Sequence, residues 1–218
     1  MTKYRSLHIY DFDQTLVNTP GPDTDLNGFT ARDTYDRWLV DQSLPKRKWT
    51  GWYGRSETLQ PPIFGKMEGE KFIPPPSCLN QEICNSVLKS KANPKTLTVL
   101  MTGRHIKMIN KNTKVHLVKE IMDAYEISFD RYYYLFSGQL TLPFKCNTIE
   151  MILREFPTIA DLEVWEDREE HVSKFNDFAK YLTKGKNLDS YKIHAVYPNQ
   201  PGFDLDGVEA EDGDMSFW

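Results

Sequence analysis

The 218 residues suffice for one α/β domain with an insertion or at most two small domains, and a composition of 39% hydrophobic and 27% charged residues fits a soluble globular protein with a polar surface. No stretch approaches the roughly 20 apolar residues of a membrane-spanning helix, and the sequence runs into the first strand pattern without a signal-peptide pattern. Three unevenly spaced cysteines support neither a disulfide framework nor a zinc site. We therefore expect an intracellular protein of the cytoplasm or nucleus. Six acids in the tail at 199–218 dominate the net charge of -4, and the remaining body is weakly basic, which permits a polyanionic partner without requiring one.

The first predicted strand, residues 7–10, ends in two carboxylates, Asp11 and Asp13, with Thr15 close behind. Aspartate is depleted in strands, so the pair indicates a site at the carboxyl edge of a sheet. With one residue between them, both carboxylates can face a bound cation, and Mg²⁺ takes one or two carboxylates together with water and phosphate oxygens. The pair alone is weak support, because Asp also caps helices and begins turns.

Residues 18–91 have poor periodicity and contain most of the prolines, which predicts an irregular, cap-like insertion over the site. One short helix is predicted within it, at 79–88, leading back to the core. A basic run at 46–48 precedes the aromatic residues Trp49, Trp52 and Tyr53. These rings could stack nucleic-acid bases, or they could pin the insertion onto the core, and the second interpretation is slightly preferred.

Strands and helices alternate from residue 94 onward, which predicts a parallel sheet sandwiched between helices, with the ligand beyond the carboxyl ends of the strands. The predicted strands are 96–101, 132–136, 162–165 and 191–197. The helices between them are predicted to begin near Asn112, at Asn147 and after Arg168. The predicted organisation is a core at 1–17 and 92–198, an insertion at 18–91 and an acidic tail at 199–218.

Polar residues collect where the predicted strands end. Asp11 and Asp13 follow the first strand, Thr102 follows the second, Lys145 precedes the helix after the third, and the pair Glu166–Asp167 follows the fourth. One such residue would be an ordinary helix cap. Four sets in order at one edge of a sheet indicate a shared site.

This series of motifs resembles the haloacid dehalogenase (HAD) superfamily, whose first motif, Asp-x-Asp-x-Thr-Leu, matches residues 11–16. The resemblance implies a three-layer, Rossmann-like α/β core and a Mg²⁺-dependent phosphatase. Asp11 would be the nucleophile that forms an aspartyl-phosphate, and Asp13 the general acid and base. Mg²⁺ would be held by Asp11, the main-chain carbonyl of Asp13 and Asp167. Thr102 and Lys145 would hold the phosphoryl oxygens.

Three further segments resemble the Swiss Army Knife RNA-repair-like HAD domains. They are Trp49 to Ile63, the run Thr141-x-x-Phe144-Lys145, and the run Trp165-Glu166-Asp167-Arg168-x-x-His171. This resemblance implies a polynucleotide or nucleotide phosphate end as the substrate. The residues expected to touch it are Arg104, His105, Trp49 and Trp52, and His105 could reach a second phosphate of a longer substrate.

Two alternatives remain open from the sequence. One is a phosphomonoesterase for a small metabolite, with the aromatic insertion as its lid. The other is a non-catalytic HAD-fold module that binds a protein through the insertion or the acidic tail, and the intact acidic residues argue against it. A salt-dependent affinity for oligonucleotides would favour the nucleic-acid substrate over the metabolite.

Overall fold

The computed structural model describes residues 4–44, 51–185 and 187–197. Seven strands are found there: β1 (Ser6–Tyr10), β2 (Lys66–Glu68), β3 (Lys71–Ile73), β4 (Thr96–His105), β5 (Arg131–Leu135), β6 (Asp161–Glu166) and β7 (Ser190–Ala195). The five α-helices of these ranges are α1 (Ala31–Asp41), α2 (Gln81–Ala92), α3 (Leu117–Ala124), α4 (Thr141–Glu155) and α5 (Glu169–Lys184). None of these helices combines the length and the apolar composition needed to cross a membrane.

Five of the strands form a sheet in the order β5-β4-β1-β6-β7, and every pairing in it is parallel. The predicted parallel sheet is therefore confirmed. Strand β1 lies at its centre, between β4 and β6, so the residue that follows β1 emerges at the middle of the carboxyl edge. This is the position where a parallel α/β sheet binds its ligand.

Helices cover both faces of the sheet, which confirms the predicted α/β architecture. Leu7 and Ile9 pack with apolar residues of α4 and α5 on one face, while Tyr10 packs with those of α2 and α3 on the other. This alternation follows from the two-residue period of a strand. Tyr10 also stacks on Trp165 of β6, with 4.2 Å between ring centroids. A central strand buried on both faces gives the residues at its end a rigid support.

The insertion is more regular than its sequence predicts. Helix α1 was not predicted; the hydroxyl of Thr30 caps its first turn by accepting a hydrogen bond from the Asp33 amide at 3.0 Å. The buried face of α1 packs on Trp52 and Ile63 in a small cluster of its own. Strands β2 and β3 form a hairpin around Gly69, which adopts a positive φ of 62°. Apolar contacts within the insertion therefore order it, despite its prolines.

Two helix starts differ from their predicted positions. Helix α3 begins at Leu117 rather than near Asn112, because His116 provides the cap and accepts a hydrogen bond from the Val118 amide. Helix α4 begins at Thr141 rather than at Asn147, which places Lys145 in the second turn and not before the helix. Proline is tolerated in a first helical turn, where amides have no partner in the helix, so Pro143 is compatible with this earlier start.

Candidate active site

The side chains of Asp11, Lys145 and Glu166 meet at the carboxyl edge of the sheet. Asp11 directly follows β1, and its amide continues the ladder by donating to the Trp165 carbonyl at 3.1 Å. The ammonium of Lys145 lies 3.0 Å from Asp11 Oδ1 and 2.6 Å from Glu166 Oε2. All three side chains are buried. The buried ammonium offsets one of the two negative charges of the carboxylates, so the group keeps a net negative charge.

Burial and neighbouring charges set the protonation of this group. Burial, opposed by Lys145, raises the pKa of Asp11 to about 6. Burial alone would lower the pKa of Lys145, but Asp11 and Glu166 outweigh it and leave that pKa above its usual value. Burial would likewise raise the pKa of Glu166, but Lys145 and a hydrogen bond with His171 hold it well below the ordinary range. The proton therefore stays on Lys145, and Glu166 remains ionised.

Asp167 adds a third carboxylate at the end of β6. Oxygen atoms of Asp11, Glu166 and Asp167 lie within 4.8 Å of one another. Burial, followed by the charges of Asp11 and Glu166, raises the pKa of Asp167 to about 8. The shift follows mainly from burial, and the two neighbouring carboxylates add to it against the opposing charges of Lys145 and Arg168.

The donor set fits a hard divalent cation such as Mg²⁺, which prefers oxygen ligands. Asp11 Oδ1 is buried and makes no hydrogen bond, although the Lys145 ammonium is near it. Glu166 is already bonded by Lys145 and by the Arg168 amide. Asp11 and Asp167 are therefore the carboxylates with oxygen atoms available to a metal ion.

In chelator, Asp167→Asn is expected to stabilise the protein at pH 8 but much less at pH 5. The folded pKa of about 8 exceeds the ordinary value of 3.8, so the folded chain binds this proton more tightly than the unfolded chain. The tighter binding of this proton to Asp167 stabilises the fold fully below pH 4, and the stabilisation is lost as the pH rises toward 8. An amide avoids this loss, and we expect a gain of at least ~1 kcal/mol at pH 8, or a rise of 2–4 °C in Tm.

Thermal unfolding at both pH values, with EDTA present, measures this gain. The control is Asp177→Asn, which changes an exposed carboxylate on α5. A gain that is equal at pH 5 and pH 8, or that the control also shows, would contradict the assigned charge on Asp167.

Asp13 is not one of the three carboxylates of this acidic group, although it lines the same cleft. Its carboxylate is bonded by Arg104, from Nε to Oδ2 at 2.9 Å and from Nη2 to Oδ1 at 2.6 Å. The hydroxyl of Thr19 donates to the same Oδ1 at 2.6 Å. The guanidinium of Arg104, expected from the sequence to touch substrate, is fully buried and occupied by these and other contacts within the chain. The structure thus places Arg104 behind Asp13 rather than at the surface of a cleft.

Thr102 and His105 lie on the same stretch of β4 as Arg104. Thr102 is fully buried, and its hydroxyl accepts a hydrogen bond from the Arg104 amide at 3.1 Å. His105 is partly exposed, and its Nδ1 accepts a hydrogen bond from the Lys107 amide at 3.2 Å. Among the residues of β4, Gly103 contributes to the cleft wall instead. The roles expected for Thr102 and His105 therefore stay predictions.

A cleft of about 440 Å³ opens over the acidic group. Its walls come from the core and from the insertion: Asp11, Asp13, Gln14, Gly51, Trp52, Tyr53, Gly54, Gly103, Leu135, Thr141, Asp167 and Arg168. Trp52 is only 8% exposed and donates from its indole to the Pro20 carbonyl at 2.7 Å, so it helps to pack the insertion internally. Tyr53 is 38% exposed and offers its ring to the cleft. Trp49 and the basic run at 46–48 lie outside the described residues, as does the acidic tail.

Sequence reasoning missed Gln14 and Arg168 as cleft residues and did not separate Tyr53 from Trp52. Gly51, in the left-handed conformation at a φ of 67°, precedes the short 3-10 helix Trp52–Gly54, in which Trp52 is buried and Tyr53 is exposed. The spacing Gly51-x-x-Gly54 was the available signal for such a turn. Arg168 offered none, since a basic residue at a helix start is common on protein surfaces.

Comparison with known proteins identifies the family of the chain. Residues 35–208 match the model of HAD domain family 1 in Swiss Army Knife RNA repair proteins. The match includes Thr102, Lys145 and Asp167, and it begins after β1, so Asp11 and Asp13 lie outside it.

A curated relative is the uncharacterized protein YMR265C of Saccharomyces cerevisiae, 25% identical over 179 residues. The alignment covers 79% of this chain but 36% of the yeast protein, so the chain spans about a third of that relative's length. No solved structure gives a significant match. Because the family match extends over most of the sequence, the chain belongs to HAD domain family 1 in Swiss Army Knife RNA repair proteins.

Proposed function

We propose that the protein is a Mg²⁺-dependent phosphatase that works through an aspartyl-phosphate on Asp11. The observation that carries the proposal is the grouping of the Asp11, Glu166 and Asp167 carboxylates, with the Lys145 ammonium 3.0 Å from Asp11, under a cleft that Asp11 and Asp167 line. Family membership is consistent with a hydrolase. A non-catalytic binding module has no need of two buried carboxylates, Asp11 and Glu166, beside the partly buried Asp167, since burying charge is unfavourable unless the charge is used or fully paired.

Asp11 acts as the nucleophile in this proposal. An oxygen of its carboxylate attacks phosphorus, the bond from phosphorus to the leaving oxygen breaks, and an acyl phosphate forms. Lys145, at 3.0 Å from Oδ1, fixes the carboxylate and offsets its repulsion of the phosphate. Because the Lys145 ammonium is itself held by Glu166 at 2.6 Å, it remains in place during the reaction.

Asp13 moves the proton. It donates to the leaving oxygen as the first bond breaks, and then takes a proton from the water that attacks phosphorus and releases Asp11. Asp13 therefore carries the proton at the start of the cycle and regains it from water in the second step, while Asp11 is released as the carboxylate. Hydrogen bonds from Thr19 and Arg104 orient the Asp13 carboxylate.

Mg²⁺ would be held by the carboxylates of Asp11 and Asp167 and the main-chain carbonyl of Asp13. When bound, it supplies positive charge that draws the phosphate toward the nucleophile and stabilises the charge of the transition state. Arg168 is the cationic residue among the described ones that line the cleft, so it can attract an incoming anion.

The proposed substrate is a polynucleotide or nucleotide phosphate end. The exposed ring of Tyr53 supports it, because a base next to the scissile phosphate can stack on such a ring. A small phosphorylated metabolite is the second candidate, and it is supported by a volume of about 440 Å³, which is within the range of small-molecule sites.

A substrate panel with and without metal tests the proposal. It contains an aryl phosphate, nucleotides, phosphorylated sugars, and oligonucleotides with a 5′- or 3′-phosphate. We expect Mg²⁺-dependent phosphate release that EDTA lowers by at least ~100-fold and that added Mg²⁺ restores, since charge stabilisation at this site is worth several kcal/mol. Faster release from oligonucleotides and nucleotides identifies the nucleic-acid end. Release that is insensitive to EDTA, or no release from any substrate, would refute the proposed function.

A further inference from the structure

The side chain of Arg104 is the largest fully buried one among the described residues. An arginine removed from water is unfavourable unless its charge is paired and its donors are bonded. One edge of this guanidinium meets the Asp13 carboxylate in a two-point contact, through Nε and Nη2. Such a fork fixes the orientation of the carboxylate as well as its distance.

The opposite side of the guanidinium contacts the insertion. Nη1 of Arg104 donates to the Thr58 hydroxyl at 2.6 Å and to the Arg55 carbonyl at 3.3 Å. Thr58 is fully buried, and its own hydroxyl hydrogen goes to the same Arg55 carbonyl at 2.8 Å. The Tyr53 ring lies 5.3 Å from the guanidinium carbon. One side chain of the core sheet therefore joins the insertion to the proposed acid and base.

The insertion also reaches Asp13 from its other end. Thr19, at the start of the insertion, donates to Asp13 Oδ1, and the Gln14 side chain holds the Thr19 carbonyl at 2.5 Å. The donors to the Asp13 carboxylate are thus Thr19 and an arginine whose remaining donors end in the insertion. If the insertion lifted from the core, both supports of Asp13 would be disturbed together.

We infer that Arg104 is a positioning residue through which the seated insertion, by way of Thr58, orients Asp13 for proton transfer to the leaving group. The inference rests on the proposed function. Its consequence is that proton donation is available only while residues 52–59 are packed on the core, so that substrate in the cleft and closure over it are linked to the chemical step. Attack by Asp11 uses none of these contacts.

Thr58→Val tests the link because it removes the hydroxyl at nearly constant volume, and Thr58→Ser is the matched variant that keeps it. The rates are measured with aryl phosphates whose leaving groups differ in acidity, since a poor leaving group needs the proton and a good one does not. We expect Thr58→Val to lower kcat/KM by about 30-fold for the poorest leaving group and by less than about threefold for the best. Thr58→Ser should behave as the wild type.

Thr98→Val is the structural control, because this buried threonine of β4 bonds Asp130 and lies away from the site. Thr98→Val should leave the ratio between the rates for poor and for good leaving groups unchanged. Equal losses for all leaving groups in Thr58→Val, or no loss, would overturn the inference.

Hydrogen exchange provides a readout that needs no turnover. In Asp13→Asn the fork to Arg104 is weakened, so the amides of residues 52–59 should exchange about tenfold faster, and Thr58→Val should produce the same change. Unchanged exchange in Asp13→Asn would overturn the link. Absence of phosphate release from the wild type would refute the proposed phosphatase instead, and the exchange result would still decide whether Asp13 and the insertion are coupled.

Discussion

Asp11→Asn is expected to abolish phosphate release, with a loss of at least ~10⁴-fold in kcat, because an amide is neither an effective nucleophile nor an anionic metal ligand. The fold should survive. Burial raises the pKa of Asp11 to about 6, so the ionised carboxylate is unfavourable there, and Lys145 retains Glu166 at 2.6 Å. Phosphate release and thermal unfolding, measured on the same preparation, separate loss of chemistry from loss of structure.

Asp177→Asn is the matched control for this substitution. It makes the same chemical change on the exposed face of α5, away from the cleft. Its rate and its Tm should equal those of the wild type. Turnover by Asp11→Asn at the wild-type rate would show that Asp11 is not the nucleophile.

Lys145→Met is expected to have the largest effect on stability, lowering the free energy of unfolding by ~3–5 kcal/mol at pH 8. The substitution keeps much of the side-chain volume but leaves the buried carboxylates of Asp11 and Glu166 without their cation. The pKa of Glu166 is held below its ordinary value of 4.5 chiefly by Lys145. Glu166 therefore stabilises the fold at pH values above 4.5, and the loss in Lys145→Met should shrink as the pH falls and Glu166 takes up a proton.

Urea unfolding of three variants checks this account. Lys145→Met with Glu166→Gln should recover part of the loss, since the double variant removes one of the two unpaired charges. Lys180→Met, on the exposed surface of α5, is the control and should stay within ~0.5 kcal/mol of the wild type. A loss below ~1 kcal/mol in Lys145→Met would show that the buried contacts of the ammonium do not form.

The sheet and its acidic edge were predictable from local patterns in the sequence. Apolar runs of strand length alternate with helical periodicity, and parallel strands bring their carboxyl ends together. For this reason Asp11 and Asp167, which are distant along the chain, could be assigned to one edge. Lys145 was also assigned to it, although its helix begins at Thr141 and not at the predicted Asn147.

The pairing of Arg104 with Asp13 was not predictable, since the two residues are 91 positions apart and nothing in their spacing indicates a contact. From the sequence, Arg104 is a charged residue near a strand end, which is as consistent with binding substrate as with pairing to Asp13. Helix α1 carries the cap signal Thr30-x-x-Asp33, but proline and glycine on both sides obscured it. One turn of 3-10 helix decides that the Tyr53 ring, and not the Trp52 ring, is exposed in the cleft. The orientation of such a turn cannot be predicted from residue types alone.

Transient phosphorylation of Asp11 is the central claim, and chemical trapping during turnover tests it most directly. Borohydride reduces an acyl phosphate to an alcohol, so the reaction is quenched with borohydride while substrate is saturating, and the peptides are mapped by mass spectrometry. The predicted result is reduction at Asp11 alone, dependent on both substrate and Mg²⁺, and absent in Asp11→Asn. Reduction at another carboxylate, or no reduction while phosphate is being released, would contradict the claim.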